Sequence, residues 1–161
     1  MAQTPNVEYR IKAAYIFNFA KFVSWPSAAF ASANAPIVIG ILGNDPFGSE
    51  LDQTIAGKTI ERHPLQVKRL SETDSINGCH ILFISDSERK RMPQVFEKAA
   101  RLSILTVGET DDFTDVGGMI RFLKYENTIR FEIDLAPVEA AGLKISSKLL
   151  QVAVVKGKSR K

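Results

Sequence analysis

Cysteine is almost missing from this 161-residue chain. Cys79 is the only one, which excludes an intrachain disulfide and any cysteine-based zinc centre. The two histidines, His63 and His80, add too little to make a metal cluster, so neither a metal nor another cofactor is expected. Glycine, at 10 residues, recurs at no fixed period, and collagen-like or repeat architectures are excluded with it. No run reaches the roughly 18 uncharged apolar residues that a membrane-spanning helix requires. The nearest approach, residues 7–23, is interrupted by Arg10, Lys12, Asn18 and Lys21. Charge of one sign is scarce too. Twenty-one Lys plus Arg against 18 Asp plus Glu leave a net +3, too slight for the concentrated basic face that nucleic acid demands. What is plentiful is apolar material: 45% of residues are hydrophobic and ten are Phe, which rules out intrinsic disorder. A chain of this length forms one domain and buries roughly 70% of its unfolded surface.

The domain is expected to span residues 7–155. Residues 1–6 read as a disordered leader, and 156–161, with four positive charges, as a basic disordered tail. Met1 followed by Ala-Gln-Thr-Pro reads either as a start codon placed on a mature chain whose export signal was trimmed, or as the polar leader of a cytosolic protein.

Residues 7–23 predict a helix, with Ile11, Tyr15, Phe19 and Phe22 along one face and Trp25-Pro26 as its stop. Ile16, Phe17, Ala20 and Val23 widen the apolar stripe beyond what one buried side needs, so a second side must meet something, either another layer of the chain or a partner. Ile37–Leu42 is an almost continuous apolar run, the habit of strands covered on both faces. Residues 80–84, 103–107 and 119–123 share the pattern, while 65–70 alternates like a half-exposed edge strand. Helices are expected at 46–56 and 88–102, and two short ones within 136–155, broken at Gly142. The order predicts a single-domain α/β fold: a mostly parallel, doubly wound sheet of about six strands with helices on both faces. The runs at 119–123 and 129–133, joined by a short turn, predict an antiparallel hairpin at one side.

Ligands of such sheets bind beyond the carboxyl ends of the strands. Asn44, Asp45, Phe47, Ser85 and Asp86 fall there and form the candidate ligand pocket. The segment Gly43–Gly48 lacks both nucleotide fingerprints, and Asp45-Pro46 has the simpler reading of a helix cap followed by proline at the first helical position. Asp45, Asp86, Thr106 and Lys124 resemble the acidic, Thr and Lys positions of a response-regulator receiver. They depart from it with Asn44-Asp45 in place of two acids, Tyr after Lys124, and a long helix before the first strand. Cys79 and His80 are neighbours in a strand and point to opposite faces, so the imidazole is misplaced as a base for the thiol. No set of nucleophile, base and oxyanion donors emerges. Gly117-Gly118 is expected to supply positive φ at the entry to a strand.

Several blocks then carry a family likeness: residues 15–26, 39–48, 79–84, 105–107, 113 with 117–120, 129–134 and 141–150. In this order they resemble the YfiR/HmsC-like family over nearly the whole chain. The resemblance implies a non-catalytic periplasmic regulator with an α/β fold that tends to form homodimers. It implies repression of an inner-membrane diguanylate cyclase (YfiN-like) through contact with its periplasmic part. A YfiB-like lipoprotein relieves that hold, and cyclic di-GMP and biofilm output rise. The family's redox control through paired cysteines has no counterpart where Cys79 stands alone. Tyr15, Phe19, Phe22 and Trp25 are the expected partner or dimer contacts. A periplasmic small-molecule sensor, using the strand-end pocket, is the alternative.

Overall fold

Six apolar residues in succession, Ile37–Leu42, form β2, which is buried along its full length at the centre of the sheet. The computed structural model describes residues 3–71 and 76–156. Before β2 come α1 (Gln3–Phe22) and β1 (Val23–Ser24); after it come α2 (Glu50–Ile55), β3 (Thr59–Ile60) and β4 (His63–Leu70). Then follow β5 (Ile81–Ile84), α3 (Met92–Arg101), β6 (Leu105–Gly108), β7 (Ile120–Tyr125) and β8 (Thr128–Ile133). The chain closes with α4 (Leu135–Ala140), β9 (Lys144–Ile145), α5 (Ser147–Leu150) and β10 (Val154–Val155).

The main sheet has eight strands in the order β10-β8-β7-β6-β5-β2-β4-β3. β4, β2, β5, β6 and β7 are parallel, so side chains of the central strands are covered on both faces. β8 returns antiparallel to β7 across Glu126-Asn127, whose φ values of 47° and 69° suit a two-residue hairpin turn. β1 and β9 form a separate two-stranded ribbon. The six principal strands, the hairpin and the helices on both faces are those expected from sequence. Four two-residue strands, β1, β3, β9 and β10, are additions.

Alternation along β2 and β5 sorts the core into two layers. Ile37, Ile39, Ile41, Ile81 and Phe83 face the larger layer, with Ile16 and Phe19 of α1, Leu51 of α2, Val138 of α4 and Leu149 of α5. Val38, Leu42, Leu82 and Ile84 face the other, filled by Met92, Val95, Phe96 and Ala99 of α3 and by Phe113. Phe113 sits against two glycines: a Cβ on Gly108 or Gly118 would lie 2.3 Å from its ring. Of the Gly117-Gly118 pair only Gly117 has positive φ (+121°), and Gly118 is there for this close approach.

Several boundaries differ from expectation: α3, expected from residue 88, begins at Met92, and three other differences have a local cause. α1 begins at Gln3, so residues 3–6 of the expected leader are helical; Pro5 is tolerated in the first turn, where no intrahelical donor is needed. α2 begins at Glu50 rather than residue 46. Gly48, at φ +57°, breaks the path, and Asp45 closes a local turn by accepting from the Phe47 N–H at 2.8 Å. At the other end Lys156 is anchored, donating to the Thr114 carbonyl at 2.8 Å and Asp115 at 3.0 Å. The rest of the expected tail, 157–161, lies outside the described residues.

Candidate functional site

α1 lies across the sheet and fixes the character of one surface. Its inward side is packed with aromatic rings. Phe19 is fully enclosed, stacked at 5.9 Å on Phe122 and edge-on at 5.0 Å to Phe131. Phe19 therefore leaves the set of candidate contact residues, because it has no surface to offer. Tyr15 is half-buried, with its ring against Phe122 and Phe131 and its hydroxyl donating to the Ile129 carbonyl at 2.8 Å. Phe22 and Trp25 are half-buried as well. The side of α1 left open lies toward its start: Val7 is 49% and Ile11 43% exposed. With Ile129, Lys124 and Asn127 of the β7–β8 hairpin they line a groove of about 360 Å³, and Tyr125, 58% exposed, stands at the same hairpin.

An ion network borders this strip. Lys12 is buried on α1, and its ammonium bonds Glu8 at 2.6 Å and Glu109 just beyond β6. The Tyr9 hydroxyl donates to both oxygens of Glu109, at 3.1 and 3.0 Å. Lys124 of the hairpin pairs with Glu8 at 3.0 Å. Partial burial pushes the Glu8 carboxyl up, but the bonds and charges of Lys12 and Lys124 outweigh it and hold the group below its ordinary value. Burial and the Glu109 carboxylate push the Tyr9 phenol far up.

Of the five residues expected to form a strand-end pocket, Asp45, Phe47 and Ser85 are occupied in the turn or the core, while the side chains of Asn44 and Asp86 are exposed. Phe47 is buried, edge-on to Phe83 at 5.0 Å. Asp45 holds the Phe47 N–H with one oxygen and Arg69 Nε at 2.8 Å with the other. Arg69 is shared with Asp52 and the Gly48 carbonyl, which clips the turn to β4. Ser85 is buried and caps the turn through the Ser87 N–H. Ser87 Oγ accepts from the Asn44 N–H at 3.0 Å, and Asp86 points outward and is exposed. The receiver-like constellation is not assembled either: Thr106 Oγ1 accepts from the Met119 N–H, and Lys124 is paired with Glu8. Among the described residues no group of three or more His, Cys, Asp or Glu is placed to hold a metal ion.

A third cluster lies at the amino ends of the strands, where the sequence pointed only to Trp25, as a partner or dimer contact. His63 opens β4 and His80 precedes β5, and the Phe30 ring is sandwiched between them. The centroid distances are 4.1 Å to His63 and 4.5 Å to His80, with interplanar angles of 20° and 15°. Trp25 meets His80 edge-on at 5.9 Å and donates from Nε1 to the His80 carbonyl at 3.0 Å. A cavity of about 230 Å³ adjoins the stack, lined by Val23, Trp25, Phe30, Ile37, Ile60 and His63, with Lys21 and Glu61 among its walls. His80 Nδ1 accepts from the Val38 N–H at 3.1 Å, so its proton sits on Nε2, which donates to the Ala29 carbonyl at 2.9 Å. Burial pushes the pKa of His80 down; the Ala29 carbonyl opposes that, and His63 adds to it. Cys79, on the other side of the strand, packs in the second core layer, and burial pushes its thiol up to about 11. No signal could have found this cluster, because its members come from three distant segments.

Together these features define a class: a single α/β domain with an ion network at its strand ends and an open apolar strip along its first helix. A family model described as YfiR/HmsC-like matches residues 9–154, nearly the whole domain. The chain belongs to the YfiR/HmsC-like family, a periplasmic, regulatory and non-catalytic family of cyclic di-GMP signalling. No curated protein matches the chain. Among the described residues no helix is long and apolar enough to cross a membrane.

Proposed function

We propose that this chain is an exported, non-catalytic repressor of an inner-membrane diguanylate cyclase. It binds the cyclase's periplasmic part and so lowers cyclic di-GMP and biofilm formation. Family membership supports the signalling context. The observation that carries the contact mechanism is the open strip of Val7, Ile11 and Ile129, apolar area left over after α1 has filled its own core. Phe22 and Trp25 extend the contact toward the end of the helix, and Tyr15 supports it from beneath.

Repression needs differential binding: the regulator must prefer the cyclase's inactive state. Moving that equilibrium from 1:99 to 99:1 takes about 5.5 kcal/mol. At about 25 cal/mol per Å², that corresponds to roughly 220 Å² of apolar surface contacted only in the inactive state. A strip of three apolar side chains, with the stems of its neighbours, is of the right scale. A YfiB-like lipoprotein would act by competing for the regulator. Self-association through the same strip is the rival use of this surface, and sedimentation of the purified chain separates the two.

The test is replacement of the gene by Ile11→Arg and Val7→Arg variants that stay folded. Cyclic di-GMP should rise to the level of the deletion strain while the native melting temperature is kept. Full repression by both variants would overturn the contact reading. The sensor alternative has less support, since Phe47 is in the core and Asp45 is committed to Arg69.

A further inference from the structure

We propose that the segment from Trp25 to Pro36 is an acid-released strap, fastened at neutral pH by His80 and kept attached at low pH by His63. The proposal stands apart from the repressor reading and rests on the two histidines' hydrogen bonds. The strap joins β1 to β2, and both histidines grip it. Each stacks on one face of Phe30, and each bonds one of its carbonyls: His80 takes Ala29 at 2.9 Å and His63 Nδ1 takes Ala35 at 2.6 Å.

The two fastenings answer protons differently. His63 faces Ala35 with Nδ1, which must carry a hydrogen to donate to a carbonyl. That bond does not depend on whether Nε2 carries a proton. His80 has no such spare nitrogen. Its Nδ1 is the acceptor for the Val38 N–H, and Nε2 already donates to Ala29. A proton on Nδ1 sets a donor against a donor, in a side chain that is only 5% exposed. The ring must then leave the Val38 N–H, and with it goes its hold on Ala29 and on one face of Phe30.

The surroundings do not compensate the new charge. Residues 25–42, which include the strap and β2, contain no ionisable side chain. On β4 the facing group is His63, which pushes the pKa of His80 further down. Cys79, the chain neighbour, is a neutral thiol in this range. The charged walls of the adjoining cavity are Lys21 at the end of α1 and Glu61 in the β3–β4 turn, opposite in sign. Because burial depresses the protonation of His80 in the folded state, the fastening is fully present above the ordinary value of 6.5 and is lost as pH falls below it.

The only tryptophan reports on this directly, since Trp25 lies at the root of the strap against His80. Emission of the intact chain is followed from pH 8 to 4.5, with far-UV circular dichroism alongside. The expected result is a reversible red shift with a midpoint below 6.5 at constant secondary structure, retained in His63→Gln and absent in His80→Gln. Long-range proton–nitrogen spectra of the wild-type imidazoles supply the second measurement should His80→Gln fail to fold. There, His80 must titrate with the midpoint of the Trp25 change. Flat emission, a transition that survives in a folded His80→Gln chain, or a His80 that stays neutral through the transition overturns the proposal.

Discussion

The packing of Phe113 between Gly108 and Gly118 gives a prediction whose sign can be settled. In Gly108→Ala, the new methyl would lie 2.3 Å from Cε1, 2.5 Å from Cδ1 and 2.7 Å from Cζ of Phe113. Gly108 does not have positive φ, so alanine is not penalised by backbone conformation. If space were free, the substitution would stabilise the chain by about 0.4–1 kcal/mol through the unfolded state. The ring does not leave that space. Phe113 is fully buried between Phe96, edge-on at 5.2 Å, and the sheet, so overpacking of about 3 kcal/mol outweighs the gain. The net expectation is a loss of about 2 kcal/mol, or roughly 4–8 °C in melting temperature for a domain of this size. Urea unfolding followed by far-UV circular dichroism measures it. Phe113→Leu removes Cε1 and Cζ and by itself costs on the order of 1–2 kcal/mol through the void it leaves. The double variant should therefore lose at least 1 kcal/mol less than the two single losses combined. Gly108→Ala at or above wild-type stability, or strict additivity in the double variant, would refute the reasoning.

Other outcomes follow from the same kind of accounting. Lys12→Met leaves the Glu8 and Glu109 carboxylates facing each other without their shared cation and should cost about 3–5 kcal/mol, partly recovered by adding Glu109→Gln; urea titration decides it. Tyr15→Phe removes the hydroxyl from the Ile129 carbonyl but keeps the edge-on ring contact with Phe131, so about 1 kcal/mol is lost in urea unfolding with far-UV circular dichroism unchanged. Cys79 is buried and its thiol is pushed up to about 11, so a disulfide reagent at pH 8 should label the native chain far more slowly than the urea-unfolded one. Equal rates would place the thiol at the surface.

Long periodic or continuous apolar runs made the fold readable. Ile37–Leu42 has the composition of a strand covered on both faces, and the α3 residues Met92, Val95, Phe96 and Ala99 mark the buried side of that helix. Two-residue strands such as β3 and β10 carry no period and were invisible. The start of α2 was misplaced because Asp45-Pro46 has the chemistry of a helix opening, while the conformation of Gly48 decides against it. On α1, pattern alone exposed an excess of apolar residues but could not tell which side faces inward. Phe19 proved internal, and Val7 and Ile11 hold the open surface. The stack of His63, Phe30 and His80 depends on three segments meeting at one end of the sheet, which no local pattern encodes.

The borders of the main sheet bear on how such a chain survives at high concentration. Each outermost strand, β3 on one side and β10 on the other, is only two residues long. Where β10 stops short of covering β8, the Tyr15 hydroxyl occupies the Ile129 carbonyl. On the opposite side β3 covers only His63 and Pro64 of β4, and the rest of that edge carries Lys68 and Arg69, charges that oppose an identical molecule zipping its own backbone onto it. The protein can thus keep a sticky helix on display without inviting fibre growth.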